Sequence, residues 1–257
     1  MQPKNIFQIL IVDRLDQKVE KHKALETNIS SLKATYPDAI YQMYGNEELL
    51  DFISENFSSD VLHAYRLLVP NAFKADLARY CLLYKFGGLY CDLSYLCLRP
   101  IDVDEDTEMV VFRDVPGHPS WATSNALIYA KAGCEVLERA VNRVVHHYKT
   151  QYIGVSPLEP TGPYMFGRVL AETENWKSIK FGDSKFLNID STGRSNILKI
   201  MPTGEVVAIR NKTHSGVISD LIVSGGNNYV KLWNKGHVWG MKKPDTLLRK
   251  LKLRLSK

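Results

Sequence analysis

FKADLARYCLLYKFGGLYCDLSYLCLRPID, Phe73 to Asp102, joins a helical pattern to a strand pattern through a pair of glycines. Its apolar positions Phe73, Leu77, Tyr80 and Tyr84 are spaced four, three and four apart, which places them on one stripe of a 3.6-residue repeat and predicts a helix. Gly87 and Gly88 end that helix. A glycine past the last helical residue accepts the left-handed backbone of a C-cap, and a second one lets another backbone pack closely. Leu89 to Leu98 then forms a nearly continuous apolar run, as expected of a strand covered on both faces. Only Asp92 and Ser94 interrupt it with polar groups. Two residues apart on a strand, they share a face near its C-terminal end, where open α/β sheets receive their ligands. An aspartate there is either a turn cap or a ligand group. Asp76 and Arg79, three apart on the preceding helix, bring a carboxylate and a guanidinium towards the same sheet edge, or else form an exposed helix ion pair.

The rest of the chain reads outward from this element. Upstream, IFQILIVD (Ile6–Asp13) predicts a buried strand, about Gln17 to Thr35 a polar helix, and AIYQMY (Ala39–Tyr44) a second strand. Asn46 is expected to cap the helix that follows, with Glu47 and Glu48 offsetting its dipole, and Ser58–Leu68 is a further helix. This alternation predicts a βαβ start to a parallel sheet. Downstream, Glu108–Arg113 and Ser124–Ala130 read as strands separated by a Pro- and Gly-bearing loop, 114–121, that could cover a site. Cys134–Lys149 is an amphipathic helix. Its terminal His146, His147 and Lys149 suit a helix C-terminus better than metal ligation, because adjacent helix residues diverge. In PTGPYMFGRVL, Pro160 to Leu170, proline enters at the first turn of a helix. Backbone N–H groups beside Thr161 and Gly162 are therefore expected at its mouth, where they can receive an anion or a hydroxyl. From Ser184 to Arg210 short strands turn at Thr192-Gly193 and Thr203-Gly204. RNKTHSG follows and sets Arg210, Lys212 and His214 at two-residue spacing on one face, as anion-binding groups or a solvated basic loop. YVKLWNKGHVW, Tyr229 to Trp239, supplies aromatic faces for stacking.

The string KADLARYCLLYKFGGLYCDLS resembles the core signature of glycosyltransferase family 32, a DXD-containing family of sugar transferases. PTGP resembles that family's T-G-P motif, and the Tyr229–Trp239 segment resembles its closing motif. The resemblance implies a GT-A-type, Rossmann-like α/β domain with a mixed, mostly parallel central sheet. It also implies a retaining transfer from a UDP- or GDP-sugar to a glycan or lipid-linked glycan acceptor in surface polysaccharide synthesis. By the same resemblance Asp76 and Asp92 hold the base and ribose end of the donor. Arg79, Gly88, Ser94, Asn125, Thr161, Gly162, Lys212 and His214 complete the expected donor-binding set, with Lys212 and His214 at the diphosphate. The family's second DXD aspartate carries a divalent metal, manganese or magnesium, and here that position is Ser94. Either Asp92, phosphate oxygens and water hold the ion, or the basic groups Lys212, His214 and Arg79 replace it. The second is favoured, because the chain supplies cations there and no extra carboxylate. The alternative to an enzyme is a non-catalytic nucleotide-sugar or carbohydrate-binding relative that lost the metal ligand.

The chain has 257 residues, 45% of them apolar, and a formal net charge of +5. One large domain, 1–240, with a tail, 241–257, accounts for that length. The modest charge suits an anionic small molecule, and no nucleic-acid-binding module is present in the pattern. No secretory signal and no run of about 18 apolar residues appears, so a cytoplasmic protein is expected. A dehydrogenase is excluded by the lack of a G-x-G-x-x-G after a strand. In the tail, after Pro244, Leu247, Leu248, Leu251 and Leu255 share a stripe and the basic residues lie elsewhere. Such a helix binds an anionic membrane surface or docks on its own domain. Four cysteines, Cys81, Cys91, Cys97 and Cys134, are expected to be reduced and buried. Cys91 and Cys97 would stand about 20 Å apart on an unbroken strand.

Overall fold

In the computed structural model the described residues are 2–12, 23–189, 194–213 and 227–240. Nine strands and seven α-helices follow one another in this order: β1 (Asn5–Ile9), α1 (Lys23–Thr35), β2 (Ile40–Tyr44), α2 (Asn46–Asn56), α3 (Ser59–Leu67), α4 (Asn71–Phe86), β3 (Gly88–Cys91), β4 (Tyr95–Cys97), β5 (Met109–Arg113), β6 (Thr123–Ala130), α5 (Glu135–Thr150), α6 (Pro163–Ala171), β7 (Ile179–Ile189), β8 (Arg194–Ile200), β9 (Val206–Thr213) and α7 (Tyr229–Asn234). The tail 241–257 and His214 lie outside the described residues, as does the first part of the helix expected from Gln17.

Helix α4 ends where the glycines predict. Gly87, at φ +62°, donates its N–H to Leu83 O at 2.9 Å. A side chain on Gly88 would overlap the Asn5 carbonyl, so β3 can pair closely with β1 only because residue 88 has none. The stripe Phe73–Leu77–Tyr80 is buried, but so is every residue from Asp76 to Leu83. Helix α4 is therefore a central helix, packed against other helices as well as the sheet. Strand pleating divides the core by alternation. Phe7, Tyr90 and Val111 face the helical layer of α2–α6, while their neighbours Ile6, Leu89, Val110 and Phe112 face a second core closed by Leu32 and Tyr36 of α1. Gly45, not Asn46, caps α2, with Glu48 reaching back to the Gly45 N–H.

The sheet order is β2-β1-β3-β6-β5-β7-β8-β9-β4. Only β1/β2, β1/β3 and β5/β7 pair in parallel, and the other pairs are antiparallel. The expected mostly parallel sheet is thus a mixed, mostly antiparallel one. Helical crossovers, which parallel pairing requires, join β1 to β2 and β3 and, through α5 and α6, β5 to β7, whereas β7–β8–β9 is a meander that pairs antiparallel.

A second correction concerns Leu89–Leu98, which is two strands rather than one. The chain turns at residues 92–94, and β4 pairs with β9 at the far end of the sheet order, not beside β3. A three-residue link spans only about 10–14 Å. The sheet must therefore curl until its last strand returns to the end of β3. The same turn brings Cys91 Sγ to 4.0 Å from Cys97 Sγ, which overturns the wide separation expected of a straight strand. All four thiols are free and buried.

Candidate active site

The curl leaves a cleft of about 250 Å³ at the C-terminal end of β3. Its walls are the first half of α4, the start of β6, the loop after β5, the segment before α6, and β8, β9 and α7. Under the cleft lies a buried polar network. Asp76, 8% exposed, accepts from Asn125 Nδ2 at 2.8 Å on Oδ1 and from Thr161 Oγ1 at 2.7 Å on Oδ2. Arg79 places Nη2 3.2 Å from Asp76 Oδ1 and Nη1 3.4 Å from Asp92 Oδ1. The same guanidinium donates to Asn125 O at 2.6 Å and Ala75 O at 3.1 Å and lies 4.4 Å over the Tyr90 ring. Tyr80 ties the layers together, receiving Asn125 Nδ2 and donating to Thr161 O at 2.9 Å.

Electrostatics explain why these groups are interlocked. Burial pushes the Asp76 carboxyl above its ordinary value, and the Arg79, Thr161 and Asn125 contacts pull it back towards the charged form. Asp92 stands at the cleft end of the network. Its Oδ1 accepts from Tyr90 Oη at 2.7 Å, and among the described residues Oδ2 has no hydrogen-bond partner. A ligand hydroxyl or amine entering the cleft finds its free acceptor there.

The expected residues divide clearly by position. Asp76, Arg79, Asp92, Asn125 and Gly162 line the cleft. Thr161 is fully buried one shell behind, holding Asp76. Gly88 does not reach the cleft, because it begins β3 and Asp92 follows its other end. Ser94 is 6% exposed in the β3–β4 turn, and among the described residues its Oγ has no hydrogen-bond partner. Lys212 lies on β9, with its side chain outside what is described, as His214 is entirely. The expected open N–H groups at the mouth of α6 are also reduced. Residue 163 is proline, and the Tyr164 N–H is already donated to Leu158 O at 3.1 Å. His147 is held structurally, its Nδ1 2.8 Å from Pro160 O, and burial pushes its ring towards the neutral form. Of the closing aromatics, Tyr229 lines the cleft against Phe73, whereas Trp233 and Trp239 donate their ring N–H groups to Ile153 O and Tyr152 O.

Two groups at the cleft, Asp114 and His118, were not singled out from sequence. Asp114 Oδ2 lies 2.7 Å from His118 Nδ1, inside the loop expected to cover a site. Burial alone would raise the Asp114 carboxyl, but the His118 contact and Lys199 hold it below its ordinary value. The i,i+4 spacing in D-V-P-G-H was the available signal. Arg210 enters from β9, and the alternation of RNKTH had marked it beside Lys212.

The DXD pattern implies a divalent cation, and the donor set can be tested against one. Asp92 shares Oδ1 with a tyrosine and an arginine, both Asp76 oxygens are occupied, and Ser94 offers a neutral hydroxyl. A guanidinium already stands between the two carboxylates. Among the described residues no three His, Cys, Asp or Glu side chains are grouped to hold an ion. Asp92 Oδ2 is the one oxygen of these two carboxylates left open among the described residues, so these side chains alone do not make a complete cation site, and an ion would need phosphate oxygens and water beside Asp92.

Residues 22–111 match the family described as "Glycosyltransferase sugar-binding region containing DXD motif". Inositol phosphoceramide mannosyltransferase 3 of Schizosaccharomyces pombe is 30% identical over 152 residues, covering 56% of this chain and 41% of that protein. Initiation-specific alpha-1,6-mannosyltransferase of Saccharomyces cerevisiae is 34% identical over 68 residues, 26% of this chain and 14% of its own length. The chain thus spans less than half of these relatives. Among solved structures, PaToxG Glycosyltransferase aligns at 16% identity over 66% of this chain and 69% of its own, with a TM-score of 0.49. The matched segment runs from the start of α1 through α4, the Gly-Gly turn and Asp92 to β5, and over these residues the chain is similar to the DXD-containing glycosyltransferase sugar-binding regions.

Proposed function

We propose that the protein is a retaining, GT-A-type glycosyltransferase that takes a hexosyl group from a UDP- or GDP-sugar and transfers it to a glycan or lipid-linked glycan of a surface polysaccharide. The observation that carries this reading is the network of Asp76, Arg79, Asn125 and Thr161. It fixes Asp92 with one oxygen facing a cleft at the C-terminal end of β3. Carboxylates held in this way accept hydrogen bonds from vicinal hydroxyls, and a ribose or pyranose presents them in pairs. Tyr229 and Phe73 add apolar faces beside them, suited to a base or a sugar ring.

Chemically, such a transfer needs the departing nucleoside diphosphate stabilised and the sugar kept from water. The side chains at Asp92 and Ser94 support a site that meets the diphosphate without a metal ion. The basic amphipathic pattern of 242–257 supports work at the cytoplasmic face of an anionic membrane, close to a lipid-linked acceptor. Ser94 in place of an aspartate also favours a second reading, a nucleotide-sugar-binding protein without turnover, which release of free nucleotide on adding acceptor would exclude.

Asp92→Asn tests the donor assignment. The two mannosyltransferase relatives make GDP-mannose the first ligand to try, followed by UDP-sugars. At 100 times its dissociation constant a ligand stabilises the fold by about 2.7 kcal/mol. Wild type is expected to show that gain in thermal melts with EDTA present. The variant should melt like wild type alone and lose most of the ligand-induced gain. Equal donor affinity in the two proteins would remove Asp92 from the site.

A further inference from the structure

We infer that Arg210 is the cation that receives the leaving diphosphate, in the place where a second DXD carboxylate would otherwise hold a metal ion. The inference rests on the donor reading above and adds the group that binds the phosphates.

The argument begins with strand register. Arg210 on β9 stands opposite Tyr95 on β4, and Tyr95 directly follows Ser94. On its other side Arg210 faces Ile197 of β8, itself part of the cleft wall. The curl of the sheet therefore sets a guanidinium beside the very turn where family members carry their second aspartate. An aspartate at 94 would have a strong counter-ion within one residue of register, but serine does not. Among the described residues, Ser94 Oγ, Tyr95 Oη and Arg210 Nε are all buried without hydrogen-bond partners. Among the described residues no carboxylate forms an ion pair with Arg210. A partly buried guanidinium that lines a cleft with an unused donor is costly unless an anion arrives.

The charges around the cleft set the direction in which a donor can lie. Asp76, Asp92 and Asp114 form its acidic part, and the cation among them, Arg79, is consumed by two carboxylates and two carbonyls. Phosphates would be repelled there. Behind Arg210 lies Lys199, 1% exposed, donating to Ser184 Oγ at 2.7 Å. Burial and Arg210 itself hold Lys199 towards its neutral form, so Arg210 supplies the positive charge that makes the β8–β9 wall the region where an anion is attracted. Hydroxyls of the donor then face Asp92 and its diphosphate faces Arg210. An arginine suits that task, because its planar fork meets two phosphate oxygens at once.

The test is a cycle between Arg210 and the β-phosphate. Calorimetric titrations of wild type, Arg210→Gln and Arg210→Lys with GDP and GMP, and with UDP and UMP, are made in EDTA. Wild type should prefer the diphosphate on the order of tenfold to a hundredfold, the range of a charge-assisted hydrogen-bonded pair. Arg210→Gln should bind mono- and diphosphate alike while keeping wild-type affinity for the monophosphate, which also shows that it is folded. Arg210→Lys should fall between, having the charge without the fork. If Arg210→Gln retains the diphosphate preference, or loses mono- and diphosphate binding equally, the assignment of Arg210 is overturned. Wild-type protein that binds none of the four nucleotides would instead overturn the donor reading itself.

Discussion

Replacing Arg79 by methionine is the most demanding perturbation of this architecture, because one 5%-exposed guanidinium neutralises two carboxylates and caps two carbonyls. Methionine keeps most of the stem volume, so the cost is chiefly electrostatic. Asp76 would remain buried with Thr161 and Asn125 as donors but no counter-charge. Removing one partner of a buried ion pair costs about 3–5 kcal/mol, which for a domain of this size lowers the melting temperature by on the order of 10 °C. A pH series separates this from a packing defect. The Asp76 carboxyl already sits above its ordinary 3.8, with burial the main cause, and loss of Arg79 raises it further. With a folded-state value above the unfolded one, the folded state binds the extra proton between the two values, so stability falls as pH rises through that window. The deficit of Arg79→Met should therefore be largest at neutral pH and shrink as pH falls towards 4. Urea unfolding of wild type and variant at pH 7, 6, 5 and 4.5 measures it. A deficit under about 1 kcal/mol at pH 7, or one that does not change with pH, would refute the account of the network.

Two further outcomes follow from other parts of the fold. Burial, then Arg210, pushes the Lys199 ammonium down to about 7 from 10.5, so the unfolded chain binds the extra proton between those values and wild-type stability should rise with pH across them. Lys199→Met should be more stable than wild type by about 1–4 kcal/mol at pH 7, with an advantage that fades by pH 10, and an advantage independent of pH would contradict the burial of a charge there. Gly167 of α6 has no room for a side chain, since a Cβ would overlap the Trp121 carbonyl. Gly167→Ala should cost about 1–3 kcal/mol by forcing α6 off the segment before β6, and an unchanged thermal midpoint would show that the two can separate freely.

Much of the site could be read before any tertiary structure was known. Asp76 and Arg79 at i,i+3 do form an ion pair, although as a buried hub of the fold instead of an exposed helix pair. Asn125 and Thr161, taken from motifs 36 residues apart, meet on the two oxygens of the same carboxylate. Local rules suffice for such features. Helix periodicity, glycine turns and proline starts depend on energies between residues a few positions apart, so the α4–Gly-Gly–β3 element and α6 are written in their own segments.

Which strand lies beside which is not written in that way. An apolar run is the same sequence whether it continues as one strand or turns at Asp92 and joins the opposite edge, and only pairing between distant segments chooses. Here β4 pairs with β9, more than a hundred residues later, and the chain must turn at once after β3 to reach it. That single choice brings Cys91 to Cys97 and sets Arg210 opposite Tyr95, next in the chain to Ser94. It also explains why Lys212 and His214 were chosen over Arg210 from sequence. All three alternate along one face in the sequence, and the curl of the sheet is what brings Arg210 to the wall of the cleft.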